Sequence, residues 1–542
     1  MDRRTLDRLS RLSPFELKNS LIELAASHAE RMMLNAGRGN PNFLATVPRH
    51  GFFLLGIFAM QEAERCGQDL PDGVAGLPSA KGIEARFREF LAARCAEPGS
   101  AFLADAASYV DDAFGFAADT FVHELVQGVL GCNYPEPVRM LQHTKAIVGR
   151  YLIKEMGGSS PSVGFDLCAV EGATAGITYV FNSLRENRVI APGDTIAIGT
   201  PIFAPYLEFP LLNDYRLTEL TIAADPDAGW QYPDSELARL SDPRVKALLL
   251  VNPGNPTSVK IDRSGLERIA RIVATERPDL IILTDDVYAA FADEFTSLFT
   301  LCPRNTILIY SLSKYFGATG WRLGVVGTSR DNVVDAMIRA LPQADQRELD
   351  ERYASLVVEP RRLKFIDRLI ADSRATALNH TAGLSTPQQV QMALFALFAL
   401  MDEKDAYKQA MKRLIRGRCE SLHHALGIDA AEDPNGVGYY ALLDLERLGA
   451  ERYGRGFADW LLATKNPLEI LCRLADEAGV VLLPGKGFGM RHPSARVSLA
   501  NLNGPDYARI GRIIRAMVEE YAAEYRAATR NGAIPASGAE SR

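Results

Sequence analysis

Short apolar runs alternate with helix-patterned stretches between about residue 160 and residue 330. Apolar strands separated by helices are typical of a mostly parallel sheet that is covered on both faces. The pattern therefore predicts an α/β fold with such a sheet. Six runs carry this prediction: Phe165–Val170, Thr195–Ile198, Val245–Val251, Leu280–Thr284, Thr306–Tyr310 and Leu323–Gly327.

The flanking regions are predominantly helix-like. Residues 1 to about 130 mix helical patterns with Gly and Pro punctuation, and a helical, then mixed α+β segment runs from about 330 to 528. The longest apolar runs are Phe52–Met60 and Met392–Met401. Both are shorter than the ~20 residues that span a bilayer, so we interpret them as buried helices. Residues 528–542 are small and polar, which predicts a flexible tail.

Composition narrows the class of protein. The 542 residues include 60 Lys and Arg against 67 Asp and Glu, a net charge of -7, which disfavours nucleic-acid binding because phosphates attract a basic face. Seven scattered cysteines without a CxxC pair indicate a reducing compartment. The amino terminus lacks the apolar core of a secretory signal. We expect a cytoplasmic protein without membrane or metal sites.

Polar residues follow several of the predicted strands. In an open parallel sheet, ligands bind at the carboxyl ends of the strands, so these residues mark where chemistry is expected. Such residues at five strand ends form a stronger signal than any one of them. The five segments are Glu171–Gly176, Thr200–Tyr206, Asn252–Ser258, Asp285–Tyr288 and Ser311–Lys314.

The segment that contains Lys314 carries the most specific signal. Two serines precede the lysine, a glycine-rich turn follows it, and Arg322 lies eight positions downstream. This arrangement suits a lysine that forms a Schiff base beside a bound anion. The segment resembles the signature S-x-S-K-x-x-G-x-x-G-x-R-x-G of the aspartate aminotransferase superfamily, the fold-type-I enzymes that use pyridoxal 5′-phosphate. The resemblance implies that Lys314 is the Schiff-base lysine and that Ser311, Ser313 and Arg322 bind the cofactor phosphate.

Two further motifs resemble the part of the superfamily that holds the cofactor ring. The D-x-x-Y pattern implies that Asp285 pairs with the pyridine nitrogen and that Tyr288 bonds the phenolic oxygen. A buried carboxylate keeps the pyridine protonated, and a protonated ring accepts the electrons of a carbanion. Asp286 is interpreted as a helix cap or turn residue. Asn255 matches the asparagine of the N-P-T-G turn, which bonds the same oxygen, whereas Ser258 departs from its glycine.

Three weaker resemblances complete the cofactor site. Gly172, Ala173 and Thr174 lie in a small-residue turn that opens a helix, where free N–H groups can bind a phosphate. Phe203 aligns with the aromatic residue that stacks on the pyridine ring, although an ordinary core phenylalanine is equally consistent with the pattern. Tyr134 resembles the tyrosine that reaches the phosphate of a neighbouring subunit, which implies a homodimer or a larger homo-oligomer.

Substrate contacts are expected from three cations. Arg496 matches the arginine of the R-[VIL]-[SN]-[LF]-A strand, which clamps the substrate α-carboxylate in two hydrogen bonds. Arg38, which is an extra arginine in a loop that resembles the substrate-proximal G-x-P loop, is hypothesised to supply a single adjustable cation near a distal carboxylate, together with Lys18. For these two residues a solvated surface charge is an equally open interpretation.

The chain is longer than ordinary aminotransferases, with additional material around residues 61–130 and 330–380. Together with the loop around Arg38, this length resembles the L-aspartate 4-decarboxylase branch of the superfamily. The resemblance implies β-decarboxylation of L-aspartate to L-alanine and CO2, with side transamination. An aspartate or aromatic aminotransferase is the alternative. A regulator that retains such a domain is a third reading, disfavoured because residues 1–130 contain no basic recognition helix.

The motif spacing predicts two domains. The large domain, residues 61–380, is expected to bind pyridoxal phosphate through a seven-stranded, mostly parallel sheet flanked by helices, with helical insertions. The smaller α+β domain is expected to combine residues 1–60 with residues 381–527.

Overall fold

The predicted apolar runs form the centre of a seven-stranded sheet. The structure, a computed structural model, describes residues 3–27, 32–158, 161–212, 215–374, 383–428, 433–490 and 493–530. Its strands are β1 (Leu34–Asn35), β2 (Phe165–Val170), β3 (Thr195–Thr200), β4 (Thr218–Ala223), β5 (Val245–Val251), β6 (Ile281–Asp285), β7 (Thr306–Ser311), β8 (Gly324–Ser329), β9 (Tyr440–Asp444), β10 (Val480–Val481), β11 (Leu483–Pro484) and β12 (Ser494–Ser498).

The large sheet has the strand order β2-β8-β7-β6-β5-β3-β4. Strand β8 is antiparallel to both of its neighbours, whereas β3, β4, β5, β6 and β7 pair in parallel. The prediction of an α/β fold with a mostly parallel sheet is confirmed. The seventh strand, β4, was absent from the six runs because it lies at an edge and three of its six side chains are exposed.

Alternate residues of the central strands face two different hydrophobic cores. Leu248 and Leu250 of β5 pack into one core, while Leu249 and Val251 pack into the other. Successive side chains of a strand point to opposite faces of a sheet. A strand buried on both faces must therefore be apolar at every position, which is why these runs lack alternation.

Helices cover the sheet and build the rest of the molecule. They are α1 (Arg3–Leu9), α2 (Pro14–Ala26), α3 (Thr46–Arg65), α4 (Ile83–Ala92), α5 (Ser100–Phe114), α6 (Ala118–Leu130), α7 (Gln142–Glu155), α8 (Ala173–Glu186), α9 (Ala204–Leu212), α10 (Asp234–Leu237), α11 (Arg263–Thr275), α12 (Leu298–Leu301), α13 (Val333–Arg339), α14 (Gln343–Tyr353), α15 (Phe365–Ser373), α16 (Thr386–Met401), α17 (Ala406–Leu426), α18 (Leu445–Tyr453), α19 (Arg455–Thr464), α20 (Pro467–Ala478) and α21 (Gly504–Arg530). Within the described ranges, none of them is long and apolar enough to span a bilayer.

The two longest apolar runs are helical, as predicted. Residues 392–397 of α16 are fully buried, so the prediction of a buried helix holds there. Helix α3 is buried on one side only, where Phe52, Leu55 and Phe58 lie. On its other side Phe53, Ile57 and Met60 are 62%, 48% and 51% exposed. Their spacing places them on one face of the helix. We call these three residues the α3 stripe.

The two ends of the chain meet in one small sheet, and a second small sheet is formed by the carboxyl-terminal part alone. Strand β1 pairs in parallel with β10, and β12 lies between β11 and β9 in a three-stranded antiparallel sheet. Helix α3 runs through the boundary that the sequence predicts between residues 60 and 61. The division into two domains stays a prediction. Helix α21 continues to Arg530, and residues 531–542 of the predicted tail lie outside the described residues.

Candidate active site

A cavity of about 360 Å³ lies at the carboxyl ends of β5, β6 and β7. Strand ends at this edge of the sheet bring together segments that are far apart in the sequence. Thirteen predicted site residues line the cavity: Lys18, Arg38, Ala173, Thr174, Phe203, Asn255, Asp285, Tyr288, Ser311, Ser313, Lys314, Arg322 and Arg496.

One end of the cavity is rich in hydrogen-bond donors. Helix α8 begins at Ala173 after Gly172, and no side chain caps its first turn. Gly172 has a φ of 90°, and a Cβ at this position would collide with the guanidinium of Arg322. Arg322 donates from Nη2 to the carbonyl of Glu171 at 3.2 Å. Glycine therefore allows the arginine to lie against the helix N-terminus, where both favour an anion.

The serine-lysine segment follows β7 on the same side. Ser311 Oγ lies 2.8 Å from Ser313 Oγ, so both hydroxyls are directed toward one another at the end of the strand. Lys314 donates from Nζ to the carbonyl of Gly39 at 3.2 Å. Desolvation of its amine lowers the pKa of Lys314, an effect to which the cation of Arg496 adds. A lowered pKa increases the neutral amine fraction that nucleophilic attack requires.

Asp285 lies at the end of β6 and is buried. Its carboxylate accepts hydrogen bonds from the phenol of Tyr206 at 2.6 Å and from the N–H of Val287 at 3.2 Å. Burial raises the pKa of Asp285 to about 6, and the bond from Tyr206 opposes this rise. Asp285 is therefore a carboxylate in an apolar setting, which a cationic ring nitrogen would stabilise.

The neighbouring carboxyl of Asp286 does not line the cavity. It accepts hydrogen bonds from the hydroxyls of Thr284 and Ser297. Ser297 caps the short helix α12 through a bond from the N–H of Phe299. Asp286 thus ties the strand end to a helix start, in line with its interpretation as a turn or cap residue.

Arg496 enters the cavity from β12 and is buried. It donates to Asn255 Oδ1 at 3.0 Å and to the carbonyl of Gly37 at 2.8 Å. Its guanidinium lies 4.3 Å from the ring centroid of Tyr440 and 4.8 Å from that of Phe488. Its Nε is buried and has no hydrogen-bond partner within the described part of the chain. A stacked arginine with an unused donor is suited to bind a carboxylate.

Asn255 and Tyr288 lie together, as the motifs predict. Asn255 donates from Nδ2 to the phenol of Tyr288 at 3.4 Å. The same phenol lies 2.8 Å from the phenol of Tyr440. Burial raises the pKa of Tyr288 well above its ordinary value, so it remains a neutral hydrogen-bond donor at physiological pH.

Two more cations line the cavity. Arg38 is exposed and Lys18 is partly buried. Burial lowers the pKa of Lys18, and the nearby Arg38 lowers it further. Together with Arg496, these residues give the cavity three basic side chains besides Lys314 and Arg322, which favours a ligand with more than one negative group.

Comparison with known proteins identifies the family. Residues 165–513 match the family described as aminotransferase class I and II. This chain belongs to that family. A relative from Pseudomonas, named bifunctional aspartate aminotransferase and L-aspartate beta-decarboxylase, is 55% identical over 96% of this chain and 98% of its own length.

Solved structures of aminotransferases share the fold. A double mutant of Thermus thermophilus aspartate aminotransferase superposes with a TM-score of 0.58 at 17% identity, covering 92% of this chain and 95% of its own. The aromatic aminotransferase of Pyrococcus horikoshii gives a TM-score of 0.56 at 17% identity, covering 90% and 96%. At such low identity these likenesses establish the fold alone.

Enzymes of this family depend on pyridoxal 5′-phosphate, which is therefore the cofactor of this chain. The residues of the cavity fit this group. Donors at the α8 N-terminus and Arg322 suit a phosphate, and Asp285 suits the protonated ring nitrogen. Lys314 lines the same cavity.

Phe203 and Tyr134 differ in position. Phe203 lines the cavity and contacts Tyr206 edge to face, with ring centroids 5.3 Å apart. This location is compatible with stacking on a ring. Tyr134 does not line the cavity, and 69% of it is exposed. Its predicted contact with a neighbouring subunit stays a prediction.

The sequence reasoning missed two tyrosines of the cavity. Tyr206 ends the Thr200–Tyr206 segment at a predicted strand end, but only the fold brings its phenol to Asp285. Tyr440 carries no motif, because only the pairing of β9 with β12 brings it beneath Arg496. Neither residue could have been assigned a role from spacing alone.

Proposed function

We propose that this chain catalyses the β-decarboxylation of L-aspartate to L-alanine and CO2, with side transamination. The observation that carries the proposal is the match to the bifunctional Pseudomonas enzyme over 96% of the chain. The cavity holds three basic side chains besides those assigned to the cofactor, namely Lys18, Arg38 and Arg496, and they support a dicarboxylate substrate.

The positions of the side chains support the following cofactor-binding roles. Bound pyridoxal phosphate supplies an electron sink for the carbanions of the reaction. Asp285 would keep its ring nitrogen protonated, while Asn255 and Tyr288 would bond its phenolic oxygen. The amine of Lys314 would hold the cofactor covalently and carry the Cα proton, because desolvation keeps its pKa low. The phosphate would lie against Arg322 and the N-terminus of α8.

The substrate roles divide among the cations. Arg496 would clamp the α-carboxylate, since it is buried, stacked and has an unused Nε donor. Arg38 and Lys18 would face the second carboxylate. Decarboxylation discharges that carboxylate, so a tight two-point clamp would stabilise the ground state and slow the reaction. An exposed arginine beside an amine of lowered pKa provides a weaker and more adjustable cation.

A direct assay separates this function from the alternative. An aspartate or aromatic aminotransferase would use the same cofactor residues, but it needs a keto acid to complete each turnover. We expect purified holoenzyme with aspartate and pyridoxal phosphate alone to release CO2 and alanine over many turnovers. A single turnover without CO2, restored by 2-oxoglutarate, would identify an aminotransferase instead.

The cation hypothesis has its own test. Arg38→Ala should lower the rate of CO2 release about tenfold or more, while the dissociation constant of pyridoxal phosphate should change less than about threefold. Lys404→Ala, which removes an exposed lysine far along the chain, is the matched control and should leave both unchanged. Wild-type CO2 release by Arg38→Ala would contradict the hypothesis.

The partner proposals concern assembly and location. A homodimer or larger homo-oligomer is supported by the α3 stripe, since exposed apolar patches commonly mark protein interfaces, and by the exposure of Tyr134. Sedimentation of wild type and an Ile57→Glu variant tests it.

All seven cysteines are free, which supports a cytoplasmic location.

A further inference from the structure

The proposed decarboxylation, on which this inference rests, consumes one proton per turnover. The Cβ–Cγ bond of aspartate breaks, CO2 leaves, and the bonding electrons remain with the substrate. A proton must then form a new C–H bond at Cβ. Lys314 is committed to the proton at Cα, so a second acid beside the substrate side chain is required.

Tyr440 is a candidate for this acid. It is buried and lines the cavity. A Cβ built on Gly39 would lie 2.6 Å from the phenolic oxygen of Tyr440 and 3.5 Å from Nζ of Lys314. The phenol and the amine therefore flank the same point of the cavity. The ring of Tyr440 also supports Arg496, which lies 4.3 Å above it.

The other two tyrosines that line this cavity are directed elsewhere. Tyr206 donates to Asp285 at 2.6 Å, which places its phenol at the ring-nitrogen end. The phenol of Tyr288 accepts a hydrogen bond from Nδ2 of Asn255 at 3.4 Å. Both residues are assigned to the phenolic oxygen of the cofactor. The phenol of Tyr288 also lies 2.8 Å from that of Tyr440, within hydrogen-bond distance.

The backbone around Tyr440 is anchored by an unusual residue. The N–H of Tyr440 donates to Ser258 Oγ at 3.0 Å. Ser258 is buried and has a φ of 60°, in the left-handed region that favours glycine. A glycine, which the related N-P-T-G turn carries here, would lack the hydroxyl. The serine thus combines an unfavourable backbone conformation with a bond that fixes Tyr440.

We propose that Tyr440 is the catalytic residue that protonates Cβ after CO2 leaves. The O–H bond of Tyr440 breaks and its proton forms the new Cβ–H bond with the electron pair left by CO2. The phenolate oxygen then regains a proton from solvent, so the residue is unchanged after each turnover. No oxidant or reductant takes part in the step.

The test separates chemistry at Cβ from chemistry at Cα in the holoenzyme. Tyr440→Phe should lower alanine formation from aspartate by about 100-fold or more, the lower range for losing an acid catalyst. Exchange of the Cα hydrogen of alanine with deuterated water, followed by NMR, needs only Lys314 and should stay within about threefold. The dissociation constant of maleate, a non-reacting dicarboxylate, should also stay within about threefold.

Stereochemistry gives a readout that a merely structural role would not move. Aspartate labelled stereospecifically at Cβ should give alanine with a chiral methyl group in the wild type. Residual product of Tyr440→Phe should lose this chirality, since water can add a proton from either face. Tyr232→Phe is the matched control, because it removes a phenol that does not line the cavity.

The outcomes are distinguishable. Selective loss of Cβ chemistry in Tyr440→Phe, with retention in Tyr232→Phe, supports the proposal. Wild-type alanine formation by Tyr440→Phe overturns it and leaves the proposed function standing. Equal losses of Cβ chemistry, Cα exchange and maleate affinity overturn it in favour of a structural role. If the wild type itself releases no CO2, the proposed function fails and this assignment falls with it.

Discussion

The phenol of Tyr206 donates a 2.6 Å hydrogen bond to Oδ2 of Asp285 at the carboxyl end of β6. Both side chains are buried. Burial alone favours the neutral form of a carboxyl, and this bond favours the carboxylate. The balance of these two effects sets the pKa of Asp285. It therefore determines how strongly the carboxylate can stabilise a positive charge on the nitrogen of the cofactor ring.

Removing that bond should weaken cofactor binding. In Tyr206→Phe the pKa of Asp285 should rise above the present value of about 6, so a larger fraction is protonated at pH 7. We expect reconstituted apoenzyme to bind pyridoxal phosphate about tenfold more weakly at pH 7, with a smaller difference at pH 8.5, where both proteins carry the carboxylate. Tyr232→Phe, away from the cavity, serves as control; equal affinities of the two variants at pH 7 would contradict this role.

Asp286 should make stability depend on pH. Burial raises its pKa from 3.8 to about 7, so the folded chain binds this proton more tightly than the unfolded chain. The resulting stabilisation is present at low pH and is lost as the pH rises from about 4 to about 7. Asp286→Asn lacks this titration.

We therefore expect the free energy of unfolding of Asp286→Asn, relative to wild type, to increase by a few kcal/mol between pH 4.5 and pH 7.5. Denaturant unfolding at several pH values measures it. The exposed Asp111→Asn should show no comparable trend. A constant difference between Asp286→Asn and wild type would exclude the titration.

Ser258 offers a comparison of two substitutions at one position. Both Ser258→Ala and Ser258→Gly lose the bond to the N–H of Tyr440. Only glycine also relieves the φ of 60°. The free energy of unfolding of Ser258→Gly should therefore be about 1 kcal/mol higher than that of Ser258→Ala. Both variants should form alanine more slowly than the wild type. Equal stability of the two variants would show that the left-handed backbone carries no cost here.

Gly39 should be intolerant of any side chain. A Cβ would lie 2.6 Å from the phenolic oxygen of Tyr440, closer than real contacts allow. Gly39→Ala should lower alanine formation about tenfold or more, by the cost of displaced catalytic groups. Gly417→Ala is the control, because its added Cβ would meet no atom within 4 Å beyond the backbone of its own helix, among the residues that the structure describes. It should stabilise α17 by up to about 1 kcal/mol. Unchanged turnover of Gly39→Ala would show that the loop moves freely.

The sequence predicts the strands that are buried on both faces of the sheet. Leu248 and Leu249 face different cores, so every position of β5 is apolar and the run is visible. Strand β4 pairs on one side only and keeps exposed side chains, which leaves no apolar run. Phe53 was expected in a core because hydrophobicity identifies an apolar face without saying what covers it.

The residues of the site also differ in how far the sequence could predict them. Lys314 and Asp285 lie within local motifs, so the chemistry of adjacent residues identified them. Tyr440 depends on the pairing of β9 with β12 and on a turn at Ser258. Such placement comes from tertiary contacts between distant segments, which no local pattern encodes.

The contact between Gly37 and Arg496 joins residues that are 459 positions apart in the chain. A ribosome makes the first of them long before the last, and contacts of such separation form late. The wall of the cavity cannot close on a nascent chain until β12 has emerged. Completion of the substrate-binding wall is therefore a late step in folding, and a product truncated before β12 would contain the cofactor residues but lack the wall that Arg496 provides.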